Sequence, residues 1–290
     1  MPSSFFNYLQ LVRAPAVFTA LSNILAAHII VTQGRIQWSS LLLLLVASAV
    51  LYMSGMVLND CFDFNEDNRD RPSRPLPSGR IPIRTAWRLG WILMATGLVI
   101  SSLAGFKPFF IALLLSALII IYNAYAKKTL FGTLVMGGCR YMNWLLGLSI
   151  IPFLPEHFIL AMPIFIYVSS LTLLSTEETT ATRRLFIVFS SIGMFICAAI
   201  ILFIQLKASS FQLLTSSILL FSLLLILFRM LKTYQDFSPL QIQKTIKFLV
   251  MGIIPLDALI TLSSTYTWGS IVILLLLLPG WILGRSMRVT

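Results

Sequence analysis

The chain has 290 residues, of which 58% are hydrophobic and only 11% charged, and it carries a net charge of +11 at pH 7. A soluble domain carries about 25% charged residues, so the composition excludes one and points to an integral membrane protein. A spanning helix needs about 20 mostly apolar residues. In chain order, ten stretches meet that length: 15–33, 38–58, 86–105, 108–125, 133–152, 157–174, 185–205, 211–231, 246–264 and 267–284. Their apolar runs are continuous rather than alternating, which favours helices over barrel strands. The expected fold is all-α: one membrane domain over residues 1–290, a polytopic bundle of nine to ten transmembrane helices.

The basic residues give an expected orientation. Lys and Arg are enriched in cytoplasmic loops. With the N-terminus inside and alternating spans, seventeen of the 21 Lys and Arg fall inside, among them Arg13, Arg69, Arg71, Arg74, Arg80, Lys127, Lys128, Arg183, Arg184, Arg285 and Arg288. Arg35, Lys107 and Lys207 fall outside, and Arg140 lies within a span. The bias favours ten spans over nine. It puts both termini on the cytoplasmic side of a cell (inner or plasma) membrane. The net charge then reads as a topology signal plus attraction to anionic membrane lipid, with no nucleic acid partner. The first apolar run reads as a retained span rather than a cleaved signal peptide. Cys61, Cys139 and Cys197 stand singly, which suggests neither a disulfide framework nor a zinc site.

Five of the ten acidic residues fall between Asp60 and Asp70, directly after the second span. Asp60, Asp63, Asp67 and Asp70 are spaced 3, 4 and 3 apart, which places them on one face of a continuing helix. They would repel one another there, at a helix end whose dipole disfavours negative charge. A divalent cation removes both penalties. An all-oxygen donor set suits Mg²⁺, which binds through one or two carboxylates together with substrate phosphate. Arg69, Arg71, Arg74 and Arg80 follow, and arginine matches phosphate bidentately. A solvated loop with internal ion pairs is the plainer alternative.

Asn59-Asp60-x-x-Asp63-x-x-x-Asp67, followed by Arg71-Pro72-Ser73-Arg74-Pro75-Leu76-Pro77-Ser78-Gly79-Arg80-Ile81, resembles the first aspartate-rich motif of the UbiA superfamily of intramembrane prenyltransferases. Tyr122-Asn123-Ala124-Tyr125-Ala126-Lys127-Lys128 resembles the family's Tyr-x-x-x-x-Lys segment, and Leu11-Val12-Arg13-Ala14-Pro15 also fits. The likeness covers about the first 180 residues and suggests a divergent branch. It implies helices around a cavity opening laterally to the membrane. It implies a prenyl diphosphate bound through Mg²⁺, and prenyl transfer to an aromatic or other lipophilic acceptor. Carried over, Asp60, Asp63 and Asp67 are metal ligands. Asn59, Arg74, Lys127 and Lys128 bind the diphosphate. The tyrosines Tyr122 and Tyr125 either face an allylic cation or are interfacial aromatics.

The family's second aspartate motif should follow the sixth span, where this chain reads Leu174-Ser175-Thr176-Glu177-Glu178-Thr179-Thr180-Ala181-Thr182-Arg183-Arg184. Three explanations stand. Glu177 and Glu178 supply a second metal site, or one Mg²⁺ suffices, or the fold binds or transports a lipophilic metabolite without transferring it. An ion-coupled transporter using the acidic loop is a weaker alternative. Arg140 lies mid-span with Asn143 at i+3, and a charge inside a span marks a functional site by default. The expectation is a catalytic, cavity-facing Arg140 with a diphosphate or carboxylate partner, beside a substrate-binding Asn143. The alternative is structural pairing of Arg140 with Glu177, Glu178 or a carbonyl. His28 reads as interfacial. Asn23 is a candidate cavity residue, and Asp257 either breaks its helix or pairs with a basic residue.

Overall fold

The computed structural model describes residues 4–179, 181–207, 213–264 and 266–286. Thr180, the first two residues of the 211–231 stretch and Arg288 lie outside the described residues. Nine helical segments among them are long and apolar enough to cross a membrane. They are Ala14–Val31, Trp38–Phe62, Ile83–Leu103, Phe106–Ala126, Pro155–Ser175, Leu185–Lys207, Leu213–Gln235, Pro239–Ser263 and Thr267–Arg285. The chain is thus an integral membrane protein.

The individual helices are α1 (Ser4–Leu11), α2 (Phe18–Val31, after a 3-10 turn at Ala14–Ala16), α3 (Trp38–Phe62), α4 (Phe64–Asp70), α5 (Ile83–Leu103) and α6 (Phe106–Ile121). After a π turn over Tyr122–Ala126 come α7 (Phe131–Leu148), α8 (Pro155–Leu160) and α9 (Met162–Ser175). The last six are α10 (Leu185–Lys207), α11 (Leu213–Gln235), α12 (Pro239–Met251), α13 (Ile253–Ser263), α14 (Thr267–Leu275) and α15 (Leu277–Ser286).

The tenth expected span is α7, 18 residues long. At 1.5 Å per residue it reaches about 27 Å. Arg140 and Asn143 lower its hydropathy, and its residues from Val135 to Leu148 are buried or half-buried. It packs against α2, α6 and α9, with Trp144 wholly buried. Small residues let these helices close up. A Cβ on Gly137 would stand 2.1 Å from Ser169 Oγ and 2.7 Å from the Phe165 carbonyl oxygen of α9.

The acidic segment departs from the expected continuous helix. The α3 helix ends at Phe62 and α4 begins at Phe64, with Asp63 in the joint. Asp60 and Asp67 are buried while Asp70 is exposed, so the four aspartates do not form one ligand face. Beyond α4, Pro72, Pro75 and Pro77 cannot donate to a helical ladder, and the chain runs irregularly to Pro82.

The two described ends of the chain sit at this same end of the bundle. Arg80 Nη1 donates to Asn7 Oδ1 of α1 at 3.0 Å. On α15, a Cβ at Gly280 would lie 3.4 Å from the Pro15 carbonyl oxygen.

Candidate functional site

Four non-contiguous pieces of chain meet at the acidic end of the bundle. They are the 3-10 turn after Arg13, the α3–α4 joint, the π turn with Lys127, and the segment after α9 at Glu177 and Glu178. A π turn changes a helix's register locally, and this one delivers Lys127 to the acidic joint. Its ammonium pairs with Asp63 Oδ2 and donates to Asn59 Oδ1 at 3.3 Å. Asn59 Nδ2 donates in turn to Asn123 Oδ1 at 2.9 Å, and Asn123 Nδ2 to the Gly55 carbonyl at 3.2 Å. Asn59 is therefore held in one orientation.

The two buried carboxylates of the acidic segment, Asp60 and Asp67, each face a cation. Arg13 Nη2 lies 3.2 Å from Asp60 Oδ1. Arg74 Nη1 lies 2.6 Å from Asp67 Oδ2 and 3.8 Å from Asp60 Oδ1. Pairing of this kind offsets the cost of burying a charge. Asp67 holds Arg74. Among the described residues, no group of three or more His, Cys, Asp and Glu side chains is disposed to hold a metal ion. The Asn59, Asp60 and Asp63 oxygens still fit Mg²⁺ by donor chemistry, because that ion takes one or two carboxylates and completes its shell with phosphate and water.

Behind this cluster lies a cavity of about 660 Å³. Arg13, Asn59, Tyr122 and Asn123 line it toward the acidic end, and Leu115, Ile119, Met136, Val168 and Leu171 form apolar wall. Tyr52 lies one α3 stretch of about 10 Å below Asn59, at 1.5 Å per residue. There Arg140 faces the cavity as expected. Its guanidinium donates from Nη2 to Thr19 Oγ1 at 2.8 Å and stands 5.3 Å from the centre of the Tyr52 ring. Among the described residues no carboxylate oxygen lies within 4.0 Å of it, so pairing with Glu177 or Glu178 does not occur. Asn143 also lines the cavity and is fixed. It accepts from Ser48 Oγ at 2.7 Å and donates to the Ala20 carbonyl at 2.9 Å.

Several expected site residues are elsewhere. Tyr125 is 80% exposed, because the π turn rotates it away from Tyr122. Lys128 pairs with Glu66 at 2.6 Å on the surface, and its hydrogen bond holds the Glu66 carboxyl below the ordinary value. Glu177 turns into its own loop. Its Oε2 accepts from the Thr182 N–H at 2.6 Å, the Arg183 N–H at 2.8 Å and Thr182 Oγ1 at 3.0 Å. Burial works against its ionised form, but these donors prevail and the carboxyl lies below its ordinary range. Glu178 lies 3.5 Å from Arg71 Nη2. Neither glutamate is engaged with Asp60 or Asp63.

A buried polar network was not legible in the sequence. Asp257 is fully buried. Its Oδ2 accepts from Ser22 Oγ at 2.6 Å and Asn23 Nδ2 at 2.7 Å, and its Oδ1 from Trp144 Nε1 at 2.8 Å. It neither breaks its helix, which continues to Ser263, nor pairs directly with a basic residue. Asn23 Oδ1 accepts from Asn143 Nδ2 at 3.3 Å and faces Arg140 Nη1 at 3.5 Å. The sequence signal was an acid inside a span, but it did not identify the partners. His28 is also fully buried rather than interfacial, and its Nε2 accepts from the Gln37 N–H at 3.3 Å.

Residues 20–248 match the family described as "UbiA prenyltransferase family". The digeranylgeranylglyceryl phosphate synthase of Metallosphaera sedula is 31% identical over 141 residues, 48% of this chain and 50% of the relative. That of Sulfolobus acidocaldarius is 36% identical over 121 residues, 42% of this chain and 44% of the relative. The chain thus spans about half the length of the curated relatives it matches. Among solved structures, one bearing on digeranylgeranylglyceryl phosphate synthase in membranes superposes with a TM-score of 0.70 at 20% identity, covering 90% of this chain and 98% of the other. A UbiA homologue from Archaeoglobus fulgidus bound to GPP and Mg²⁺ gives 0.60 at 14% identity, covering 84% and 99%. At these identities the superpositions establish the fold.

Proposed function

Because the chain belongs to the UbiA prenyltransferase family, we propose that it moves a prenyl group from a prenyl diphosphate to an aromatic or other lipophilic acceptor inside the membrane. One observation carries this reading. A cavity with largely apolar walls ends at a cluster where Arg13, Arg74 and Lys127 stand beside Asn59, Asp60 and Asp63.

The diphosphate lies at the acidic end. There Arg13, Arg74 and Lys127 exchange their carboxylate partners for its oxygens, with Asp67 keeping Arg74 in place. Asn59, Asp60 and Asp63 would hold Mg²⁺, which when bound would supply electrostatic stabilisation of the leaving diphosphate. The apolar wall of Leu115, Ile119 and Leu171 keeps water from the allylic carbon, and the Tyr122 ring is placed to face positive charge there. Arg140, without a carboxylate of its own, suits an acidic group on the acceptor, with Asn143 as a fixed polar neighbour. The acidic end faces the cytoplasm, as the Lys and Arg distribution favours.

The test incubates purified protein with labelled geranylgeranyl diphosphate, Mg²⁺ and a membrane lipid extract. Labelled lipid product and released diphosphate are expected. Absence of both overturns the reading. A second reading, a non-catalytic binder of a lipophilic metabolite, is favoured by Glu177 and Glu178 being engaged away from Asp60 and Asp63. It predicts saturable diphosphate binding without release of product.

A further inference from the structure

A second cavity of about 320 Å³ lies between α9, α10, α11 and α13. No charged side chain lines it. One of its few polar groups, the Tyr167 hydroxyl, is already committed, donating to the Leu249 carbonyl at 2.8 Å. Unpaired polar groups are costly in such a space, so its natural content is hydrocarbon.

Met251 lines both this cavity and the larger one. It stands where α12 gives way to α13. Gly252 follows it, and Pro255 brings no N–H to the helical ladder. On the far side the joint is tight, because a Cβ on Gly252 would stand 2.4 Å from the Tyr167 hydroxyl. Met251, itself 39% exposed, is thus a side chain shared by the two linings, and it is unbranched, of the type that adapts most readily to irregular space.

We propose that the second cavity receives the distal isoprene units of the donor, and that Met251 is the gate setting how long a chain is accepted. The inference rests on the prenyl diphosphate reading above. A chain anchored by its diphosphate at the acidic end fills the larger cavity first. Only a longer chain reaches past Met251. Its entry needs no separate docking, since the tail is covalently joined to an anchored head.

The test measures Kd for non-ionising thio analogues of geranyl, farnesyl and geranylgeranyl diphosphate on the full chain in nanodiscs. Turnover of the parent diphosphates is followed in parallel. Met251→Trp closes the gate, and Ala198→Phe fills the second cavity from α10, remote from the diphosphate. Each variant is expected to weaken geranylgeranyl binding about tenfold or more, the scale set by burying a few methylenes, while geranyl binding stays within about twofold. Unchanged geranylgeranyl affinity in both variants assigns the second cavity to bilayer lipid and overturns the proposal, as does equal loss at every chain length in a folded variant. If Met251→Trp fails to fold, Ala198→Phe decides alone. Length-dependent binding without turnover by the native chain counts against prenyl transfer only and leaves the gate standing.

Discussion

Trp144 of α7 donates its indole N–H to Asp257 of α13 at 2.8 Å, across 113 residues of chain. Asp257 also holds Ser22 and Asn23 of α2, so one carboxylate ties three helices together beneath Arg140. Asp257→Ala takes the acceptor from Asn23 Nδ2 and Trp144 Nε1, while the Ser22 hydroxyl keeps the Thr19 carbonyl at 3.1 Å, and an unsatisfied buried polar group costs about 1–3 kcal/mol. The expected result is a melting temperature in detergent well below that of the native protein, with Asp257→Asn intermediate.

Lys127 neutralises Asp63 and orients Asn59, and in the proposed reaction it turns to the diphosphate. Removing one preorganised electrostatic contact costs about 10²–10³ in rate. Lys127→Ala should therefore lower kcat/KM for the prenyl diphosphate on that scale, with Lys127→Arg recovering part of it. Lys128→Ala, which removes only a surface partner of Glu66, should leave kcat/KM within about threefold, as expected where an exposed ion pair contributes about 0–1 kcal/mol.

Asp60→Asn and Asp63→Asn keep the side-chain shape and one acceptor oxygen, so folding should survive by melting temperature. Both should abolish turnover, and titration with Mg²⁺ should not restore it. Asp67→Asn should act differently. It loosens Arg74 rather than a metal ligand, so KM for the donor should rise while the dependence of rate on Mg²⁺ keeps its native midpoint.

Glu177 has a clear sign for its pH dependence. Its carboxyl lies below the ordinary value in the folded protein, so its contribution is complete above the unfolded carboxylate pKa, about 4.3. It is lost as pH falls through the lower folded value. The chain around Thr182 and Arg183 should become more open to cleavage by an acid-active protease in that acidic window. In Glu177→Gln the same openness should already appear at neutral pH.

Gly137 and Gly138 separate a packing glycine from a tolerant one. A Cβ at Gly137 meets Ser169 and the Phe165 backbone, whereas at Gly138 the only neighbour is Leu118 Cδ1 at 3.4 Å. Overpacking of this kind costs about 1–3 kcal/mol. Gly137→Ala should lower the melting temperature clearly, and Gly138→Ala should not.

Much of this protein was readable in its sequence. Membrane solvation forces backbone groups into helices, so the apolar runs reported the bundle, and α7 was found despite its Arg140. The residues from Asn59 to Arg80 and around Lys127 carried the family likeness, because that chemistry is packed into short contiguous segments. Arg140 and Asn143 were legible as a cavity-facing pair because a charge inside a span has few other tolerable positions.

What needed the fold was everything decided by which side chain meets which. The joint at Asp63 parted the four aspartates, and Arg74 claimed Asp67. The π turn sent Lys127 inward and Tyr125 out. Glu177 closed on its own loop, and Asp257 found Ser22, Asn23 and Trp144 across more than a hundred residues. Local spacing specifies a helix face, but the partner on that face comes from distant chain, and only tertiary packing brings the two within hydrogen-bond reach.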